Sequence, residues 1–194
     1  IHTILQDVMN TVSGQFIEYN GDNGQYYLDL KKDIDYDKKI KEKADFLGDD
    51  ALNRHFFDIM VATLNYSDTD RYVPGFNIWQ YNLNWRDKNI FRRGYLFLGY
   101  SNDRPSAEPK EDFWIYIVPP FGGNGQVTGG QKDEVYFTLQ AEPKLLDLIR
   151  LYGGAREMEI LSAAGETKTT YVQRGKQYLT QIRKWMDEHR TTMF

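Results

Sequence analysis

The sequence predicts an α+β fold: an N-terminal helix and wing-like β-hairpin, two helices, a mainly antiparallel β-sheet, then C-terminal helices. Apolar residues recur at helical spacing near both ends of the chain, whereas between residues 76 and 140 they alternate with polar ones. Aromatic residues make up 15% of the chain, which favours sheet structure. We divide the chain into a winged-helix-like unit, residues 1–32, and an α+β accessory domain, residues 33–194. The second has helices at 35–66, a sheet at 76–140 and helices at 143–190.

The first unit combines an amphipathic helix with a hairpin. The apolar face of the helix contains Ile1, Ile4, Leu5, Val8, Met9 and Val12. No capping residue precedes Ile1, so we expect the helix to begin upstream, in a larger protein. Residues 15–19 and 25–30 have strand character, and the sequence NGDNG between them tolerates the positive φ of a hairpin loop. A helix followed by a hairpin is how a winged-helix domain ends, with the hairpin as its wing.

Helices are predicted on both sides of the sheet. Asp35 can cap a helix over residues 36–47, and Gly48 separates it from a second one. The inward face of the second helix contains Leu52, Phe56, Ile59, Met60, Thr63 and Leu64. After the sheet, apolar residues between Leu145 and Tyr152 predict a helix that ends at Gly153-Gly154. A short helix over residues 155–163 and a last one over residues 166–189 complete the chain.

The sheet is predicted from four stretches. In the first, Trp79, Tyr81, Leu83 and Trp85 alternate with polar residues, so they should share one mostly buried face. On that expectation, Trp85→Ala would unfold the domain or nearly so. Residues 94–100 and 113–118 are apolar on both faces and predict central strands, and residues 134–139 predict a fourth strand.

Composition excludes several classes of function. The net charge of −4 does not favour bulk binding of a polyanion. The absence of Cys excludes disulfides and fits a reducing, cytoplasmic location. No apolar run approaches the roughly 20 residues that span a bilayer, so we expect no membrane partner.

Motifs for nucleotide and metal binding are incomplete. The sequence GQVTGGQK, residues 125–132, has Gln131 where a P-loop needs Lys, and Asp133 follows instead of Ser or Thr. Asp33, Asp35 and Asp37 have the spacing of an EF-hand start, but the Gly and Glu that must follow are missing. His2, His55 and His189 lack paired spacing. We therefore expect no cofactor, metal or catalytic residue in this stretch of protein.

Two weaker patterns leave alternatives open. Three E-x-K sequences, at residues 108–110, 142–144 and 166–168, together with Asp112 at the head of a strand, keep open a degenerate nuclease-like domain. A basic cluster is interleaved with the aromatic residues Trp85, Phe91, Tyr95 and Tyr100. Proteins that bind single-stranded nucleic acid combine basic and aromatic side chains in this way. The candidate nucleic-acid contacts are Arg86, Lys88, Arg92, Arg93 and Arg104. The alternative is that the aromatic rings lie in the core and the arginines are solvated.

Charge argues against DNA binding by the wing. Residues 1–30 contain Asp7, Glu18, Asp22 and Asp29 but no Lys or Arg. Such a surface repels phosphate, so a wing that faces protein fits better.

The sequences SGQFI, NGQYYLDL, the KK-x-IDYD that follows, IWQYNLNW, RRGYLFLGYSNDRPSAEPKEDFWIYIVPPF and DEVYF stand in this order in the chain. Together they resemble an internal segment of the large bacterial and archaeal P-loop ATPases of the bacteriophage-exclusion (BREX) type, over roughly residues 11–151. The resemblance implies a parent that binds ATP and Mg²⁺ and acts with partner subunits against phage DNA. Its Walker motifs would lie upstream, so no catalytic residue is carried over.

From the resemblance we expect a non-catalytic accessory or interaction domain. Its partners would be other domains of the parent ATPase, defence-system proteins and DNA. The alternative is a nucleic-acid-binding module that uses the basic and aromatic surface around residues 86–104.

Overall fold

The computed structural model describes residues 4–5, 17–20, 23–28, 35–105, 111–122, 131–140 and 142–194. Its helices and its two sheets confirm the predicted α+β class. The chain forms two compact units, Ile1–Tyr36 and Asp37–Phe194, and each is described by itself. The assignment of residues 1–32 to a winged helix stays a prediction, because most of the predicted first helix lies outside the described residues.

The first unit contains the predicted hairpin. Strands β1 (Ile17–Asn20) and β2 (Gln25–Leu28) pair antiparallel. The turn between them closes where the Gly24 N–H donates to the Asn20 carbonyl oxygen at 2.9 Å, and Gly24 has a φ of 69°. Glycine fits there because it has no Cβ to clash in the left-handed region.

The described part of the second unit contains helices and a four-stranded sheet. Helix α1 (Tyr36–Asp45) leads into it, followed by α2 (Asp49–Leu64). The strands are β3 (Ile78–Trp85), β4 (Ile90–Leu98), β5 (Phe113–Val118) and β6 (Glu134–Thr138). Helices α3 (Pro143–Leu161) and α4 (Glu166–Glu188) follow.

The sheet is mixed, so the prediction of a mainly antiparallel sheet is wrong. The strand order is β3-β4-β5-β6, and only β3 and β4 pair antiparallel, whereas β5 lies parallel to both of its neighbours. The physical reason is the length of the connections. Residues 99–112 and 119–133 each provide about a dozen or more residues, enough for the chain to return to the start of a parallel strand.

Both faces of the sheet carry buried side chains. The helix-covered face contributes Trp79, Leu96 and Ile117 to the main core, where they meet Phe56 of α2 and Ile149 of α3. The opposite face holds a smaller aromatic cluster of Ile78, Tyr95, Phe97, Trp114 and Tyr116. Burying a large apolar side chain contributes about 2–3 kcal/mol, so these two clusters hold the unit together.

Helix α3 runs without a break through Gly153 and Gly154, so the predicted helix end there is wrong. A Cβ on Gly154 would lie 3.0 Å from the Ala44 Cβ, and closer still to the Ile40 carbonyl oxygen of α1. A Cβ on Gly153 would lie 2.9 Å from the His55 ring of α2. The glycines are needed for close approach of two helices to α3, which is a different use of glycine from ending a helix.

Candidate functional site: the arm formed by β3 and β4

Strands β3 and β4 extend beyond the rest of the sheet as a two-stranded arm, which we define as residues 81–93. The first residue of β5, Phe113, stands opposite Gly94 of β4, and Gly94 stands opposite Tyr81 of β3. The pairs farther out, as far as Trp85 with Ile90, lie past the start of β5. The arm is therefore a hairpin that projects from one corner of the sheet.

A short helical turn closes the arm. Arg86–Lys88 form one turn of 3₁₀ helix, and the Asn89 N–H donates to the Arg86 carbonyl oxygen at 3.1 Å. Asn89 has a φ of 51°, in the left-handed region that Asn tolerates better than most residues. The turn places Arg86 and Lys88 at the tip of the arm.

One face of the arm is apolar and exposed. Strand alternation and register place Tyr81, Leu83, Trp85 and Ile90 on this face, which we call the apolar face, together with Arg92 opposite Leu83. The exposed fractions of the first four are 39%, 44%, 52% and 40%, whereas Trp79 on the same side of β3 is only 1% exposed. The prediction that these β3 residues share a face is confirmed, and the prediction that they are mostly buried is wrong for Tyr81, Leu83 and Trp85. Leu83 and Trp85 are exposed because they lie past the start of β5, and Tyr81 lies level with its first residue.

Four of the five candidate nucleic-acid contacts lie on the arm. Arg86 and Lys88 are at its tip, and Arg92 and Arg93 are on β4. The Arg92 guanidinium lies 3.7 Å from the Asp112 carboxylate, and both groups are too exposed for the pair to contribute much. The Arg93 guanidinium lies 6.0 Å from the centre of the Phe91 ring, which is itself exposed. The arm thus combines exposed rings with positive charge, in contrast to the alternative that puts the rings in the core.

The fifth candidate, Arg104, lies away from the arm. Its Nη1 donates to the Tyr116 hydroxyl at 3.0 Å and to Glu134 Oε1 at 3.1 Å, and its guanidinium stacks over the Trp114 ring. The Glu134 carboxylate also accepts hydrogen bonds from the Tyr136 hydroxyl and the Gln131 N–H. Arg104 therefore holds the loop after β4 onto the aromatic face of the sheet.

Burial and pairing shift the pKa values within this network. Burial raises the pKa of the Tyr116 hydroxyl well above its usual value, even though Arg104 opposes the shift. Burial alone would raise the pKa of Glu134, but the hydrogen bonds from Tyr136 and Gln131 and the charge of Arg104 lower it. Glu134 is thus held as a carboxylate and Tyr116 as a neutral hydroxyl, which is the state that this hydrogen-bond pattern needs.

Like the basic residues, the aromatic residues of the predicted cluster lie partly on the arm and partly elsewhere in the second unit. Trp85 and Phe91 are exposed on the arm, whereas Tyr95 is fully buried in the aromatic core and Tyr100 is half-buried. The sequence indicated that basic and aromatic residues occur together here. Which of the rings face solvent depends on where β5 begins beside β4.

Asp112, the residue of the nuclease-like alternative, is engaged with the main chain. Its Oδ2 accepts from the Arg93 N–H at 3.1 Å, and its own N–H donates to the Arg93 carbonyl oxygen at 2.9 Å. These bonds fasten the start of β5 to β4 at the base of the arm.

The described residues of the other motifs lie apart from one another. Within the described residues, no group of three or more His, Cys, Asp or Glu side chains is placed to hold a metal ion. His55 is buried between α2 and α3, where its Nε2 lies 3.2 Å from Glu157, and the His189 ring stacks on Trp185. Asp37 pairs with Arg174 at 3.2 Å. The predictions for GQVTGGQK and Asp33 fall largely or wholly on residues outside the described ones.

A cleft of about 430 Å³ lies at the carboxyl ends of β4 and β5. The Asn53 amide lines it, donates to the Phe121 carbonyl oxygen at 3.1 Å and accepts from the Phe121 N–H at 3.2 Å. These two bonds tie the loop after β5 to α2. They give Asn53 a structural role.

In the part of the chain that the structure describes, no helix is both long enough and apolar enough to cross a bilayer.

Two known family models match this chain. Residues 38–194 match the model described as DUF6079 third domain, and residues 1–34 match the model described as DUF6079 second domain. Neither the curated proteins nor the solved structures contain a match. Because the third-domain model alone covers most of its length, this chain belongs to the DUF6079 family.

Proposed function

We propose that this chain is a non-catalytic interaction region of a larger, cytoplasmic, ATP-binding protein of phage defence. The resemblance to BREX-type ATPases supports the parent, and family models described as second and third domains fit a protein of several domains. ATP and Mg²⁺ would bind to a P-loop elsewhere in that parent. A G-x-x-x-x-G-K-[ST] sequence upstream of Ile1 in the full-length protein is the expected result, and its absence would contradict the ATPase assignment.

The observation that carries the interaction role is the apolar face of the arm. Contiguous exposed apolar patches on a protein commonly mark interaction sites. Trp and Tyr are enriched among the residues that dominate binding energy, and here Trp85 and Tyr81 flank Leu83 on one exposed strand. Leu83 and Ile90 have no aromatic surface on which a base could stack, so this face suits a protein partner.

Charge narrows the choice of partner. The arm carries four basic side chains and one acidic side chain, Asp87, in a chain whose net charge is −4. A partner whose surface surrounds an apolar patch with Asp and Glu would complement it. We therefore propose that the arm docks onto an acidic protein surface, contributed by another domain of the parent or by a defence-system protein.

The test uses the full-length family protein in cells challenged with phage. Leu83→Ser together with Trp85→Ser removes the centre of the apolar face, and Phe46→Ser, at a residue 86% exposed elsewhere, is the matched control. We expect the arm variant to hydrolyse ATP normally and to lose phage protection about tenfold or more, because interface hot spots contribute about 2 kcal/mol or more. Protection equal to that of the Phe46→Ser control would contradict the proposal.

A second candidate function is binding of single-stranded nucleic acid. The observation that favours it is the exposure of Arg93 and Phe91 on one face of β4, with Arg92 exposed on the other face. The test is the fluorescence anisotropy of a labelled oligonucleotide of about 20 nucleotides, at about 50 and about 200 mM salt. Arg92→Ala with Arg93→Ala should abolish binding, and Lys39→Ala with Lys41→Ala, two exposed residues of α1, should not. No binding at the lower salt concentration would exclude this candidate.

A further inference from the structure

Strand β3 has an outer edge with main-chain groups that point away from the sheet. In the part of the chain that the structure describes, β3 has β4 as its one strand neighbour. The Asn77 carbonyl oxygen accepts from the Leu98 N–H of β4, whereas the Ile78 carbonyl oxygen accepts from the Tyr72 N–H on the other side. Because main-chain direction alternates along a strand, Gln80, Asn82 and Asn84 also point outward. Tyr72 closes this edge at Ile78, and from Gln80 onward the β3 residues are exposed.

This edge lacks the features that usually prevent pairing. Natural edge strands are protected by Lys or other charges, by Pro, by bulges or by shortness. Strand β3 is eight residues long, its sequence IWQYNLNW has no charged residue and no Pro, and its register with β4 is continuous from Ile78 to Trp85. An open edge of this kind on an exposed apolar arm is suited to accept another strand.

We infer that the outer edge of β3 binds an extended protein segment by β-strand addition, with main-chain hydrogen bonds to Gln80, Asn82 and Asn84. The inference deepens the interaction role proposed above and rests on it. On one face, the side chains of the added strand would lie beside Tyr81, Leu83 and Trp85. On the other, they would lie beside the polar side chains of Gln80, Asn82 and Asn84.

These neighbours define the sequence of the segment. It should alternate apolar and polar residues, so that its apolar side chains extend the apolar face. Antiparallel pairing, the commoner arrangement, would put the N-terminus of the segment at the tip of the arm. Arg86 and Lys88 lie there, so acidic residues should precede the alternating stretch.

The probe is a fluorescein-labelled peptide of about ten residues, in which two Glu residues precede alternating Val and Thr. Its binding to the chain is measured by fluorescence anisotropy. Asn82→Pro removes an outward N–H without touching the ladder to β4, whereas Asn82→Ala keeps that N–H and removes the side chain. A second peptide, N-methylated at alternate residues on the edge that would face β3, tests the same hydrogen bonds without changing the protein.

We expect saturable binding of the first peptide, about tenfold or more weaker binding to Asn82→Pro, and a change of less than about twofold for Asn82→Ala. The N-methylated peptide should bind about tenfold or more weakly as well. No binding to the unmodified chain would overturn the inference, and so would equal binding of the two peptides. If strand addition fails while the Leu83→Ser and Trp85→Ser variant still loses phage protection, the interaction role stands and only this mode of docking is wrong.

Discussion

Gly154 offers a test of the helix packing that organises the second unit. In the middle of a helix, replacing Gly by Ala usually stabilises a protein by about 0.8–1 kcal/mol, because Ala has the higher helix propensity. At Gly154 the new Cβ would come too close to the Ile40 carbonyl oxygen and would lie 3.0 Å from the Ala44 Cβ. The obstacle is main chain, which cannot rotate away, so α1 must move.

Overpacking of this kind costs about 1–3 kcal/mol and occasionally more, and a clash with main-chain atoms puts Gly154 at the upper end of this range. We therefore expect Gly154→Ala to lower the free energy of unfolding by about 1–2 kcal/mol, even after the gain in helix propensity. Gly175 in α4 is the matched control, because a Cβ there would meet Arg156 Cδ at 3.7 Å and Ala155 Cβ at 3.9 Å, which are ordinary contacts. Gly175→Ala should stabilise the chain by about 0.5–1 kcal/mol.

The assay is urea unfolding of the chain and both variants, compared at equal slope. Opposite signs for the two variants are the expected result. If Gly154→Ala were as stable as the unmodified chain, or more stable, the close packing of α1 on α3 would be refuted.

Three further predictions concern stability. Trp79→Ala should lower the free energy of unfolding by about 3–5 kcal/mol, because its ring is buried. Trp85→Ala should lower it by less than about 1 kcal/mol, because its ring is exposed on the arm. Equal losses for the two variants would contradict the exposure of the arm. Arg104→Ala should cost about 1–3 kcal/mol in urea unfolding, because it leaves the buried Glu134 carboxylate without its cation, and an unchanged midpoint would show that the network contributes nothing. Burial lowers the pKa of His55 despite nearby Asp58 and Glu157, so the unfolded state takes up its proton first as the pH falls. The free energy of unfolding should therefore decrease as the pH drops below about 6.5. Between about pH 7 and about pH 5, His55→Gln should lose less stability than the unmodified chain. Parallel stability curves for the two proteins would exclude His55 as the cause.

Periodicity predicted the elements whose residues pack on near neighbours. Apolar spacing identified Leu52, Phe56, Ile59 and Met60 as buried residues of α2, but Leu64, predicted on the same inward face, is 40% exposed. It also identified the strand character of β3, β5 and β6, whereas the strand predicted at residues 94–100 missed residues 90–93 of β4. The NGDNG loop indicated the first hairpin. Strand direction could not be predicted in this way, because it depends on where the connections after β4 and β5 return to the sheet.

Two other errors have the same origin in long-range structure. Gly153-Gly154 looks like a helix end in isolation, and its packing role is visible only once α1, about a hundred residues earlier, lies against it. Alternation along β3 identified a common face, but alternation cannot show whether anything covers that face. Exposure of Trp85 follows from β5 beginning opposite Gly94, a tertiary fact.

Site-specific photo-crosslinking can show whether the arm docks onto a protein. A photo-reactive phenylalanine analogue replaces Trp85 in the full-length family protein, in cells that contain the other defence proteins, and a second variant carries it at Phe46. If the arm docks in this way, position 85 should cross-link to one protein or domain with an acidic surface, and adding Leu83→Ser should abolish these cross-links. Cross-links no more frequent than those from position 46, or cross-links to nucleic acid alone, would contradict it.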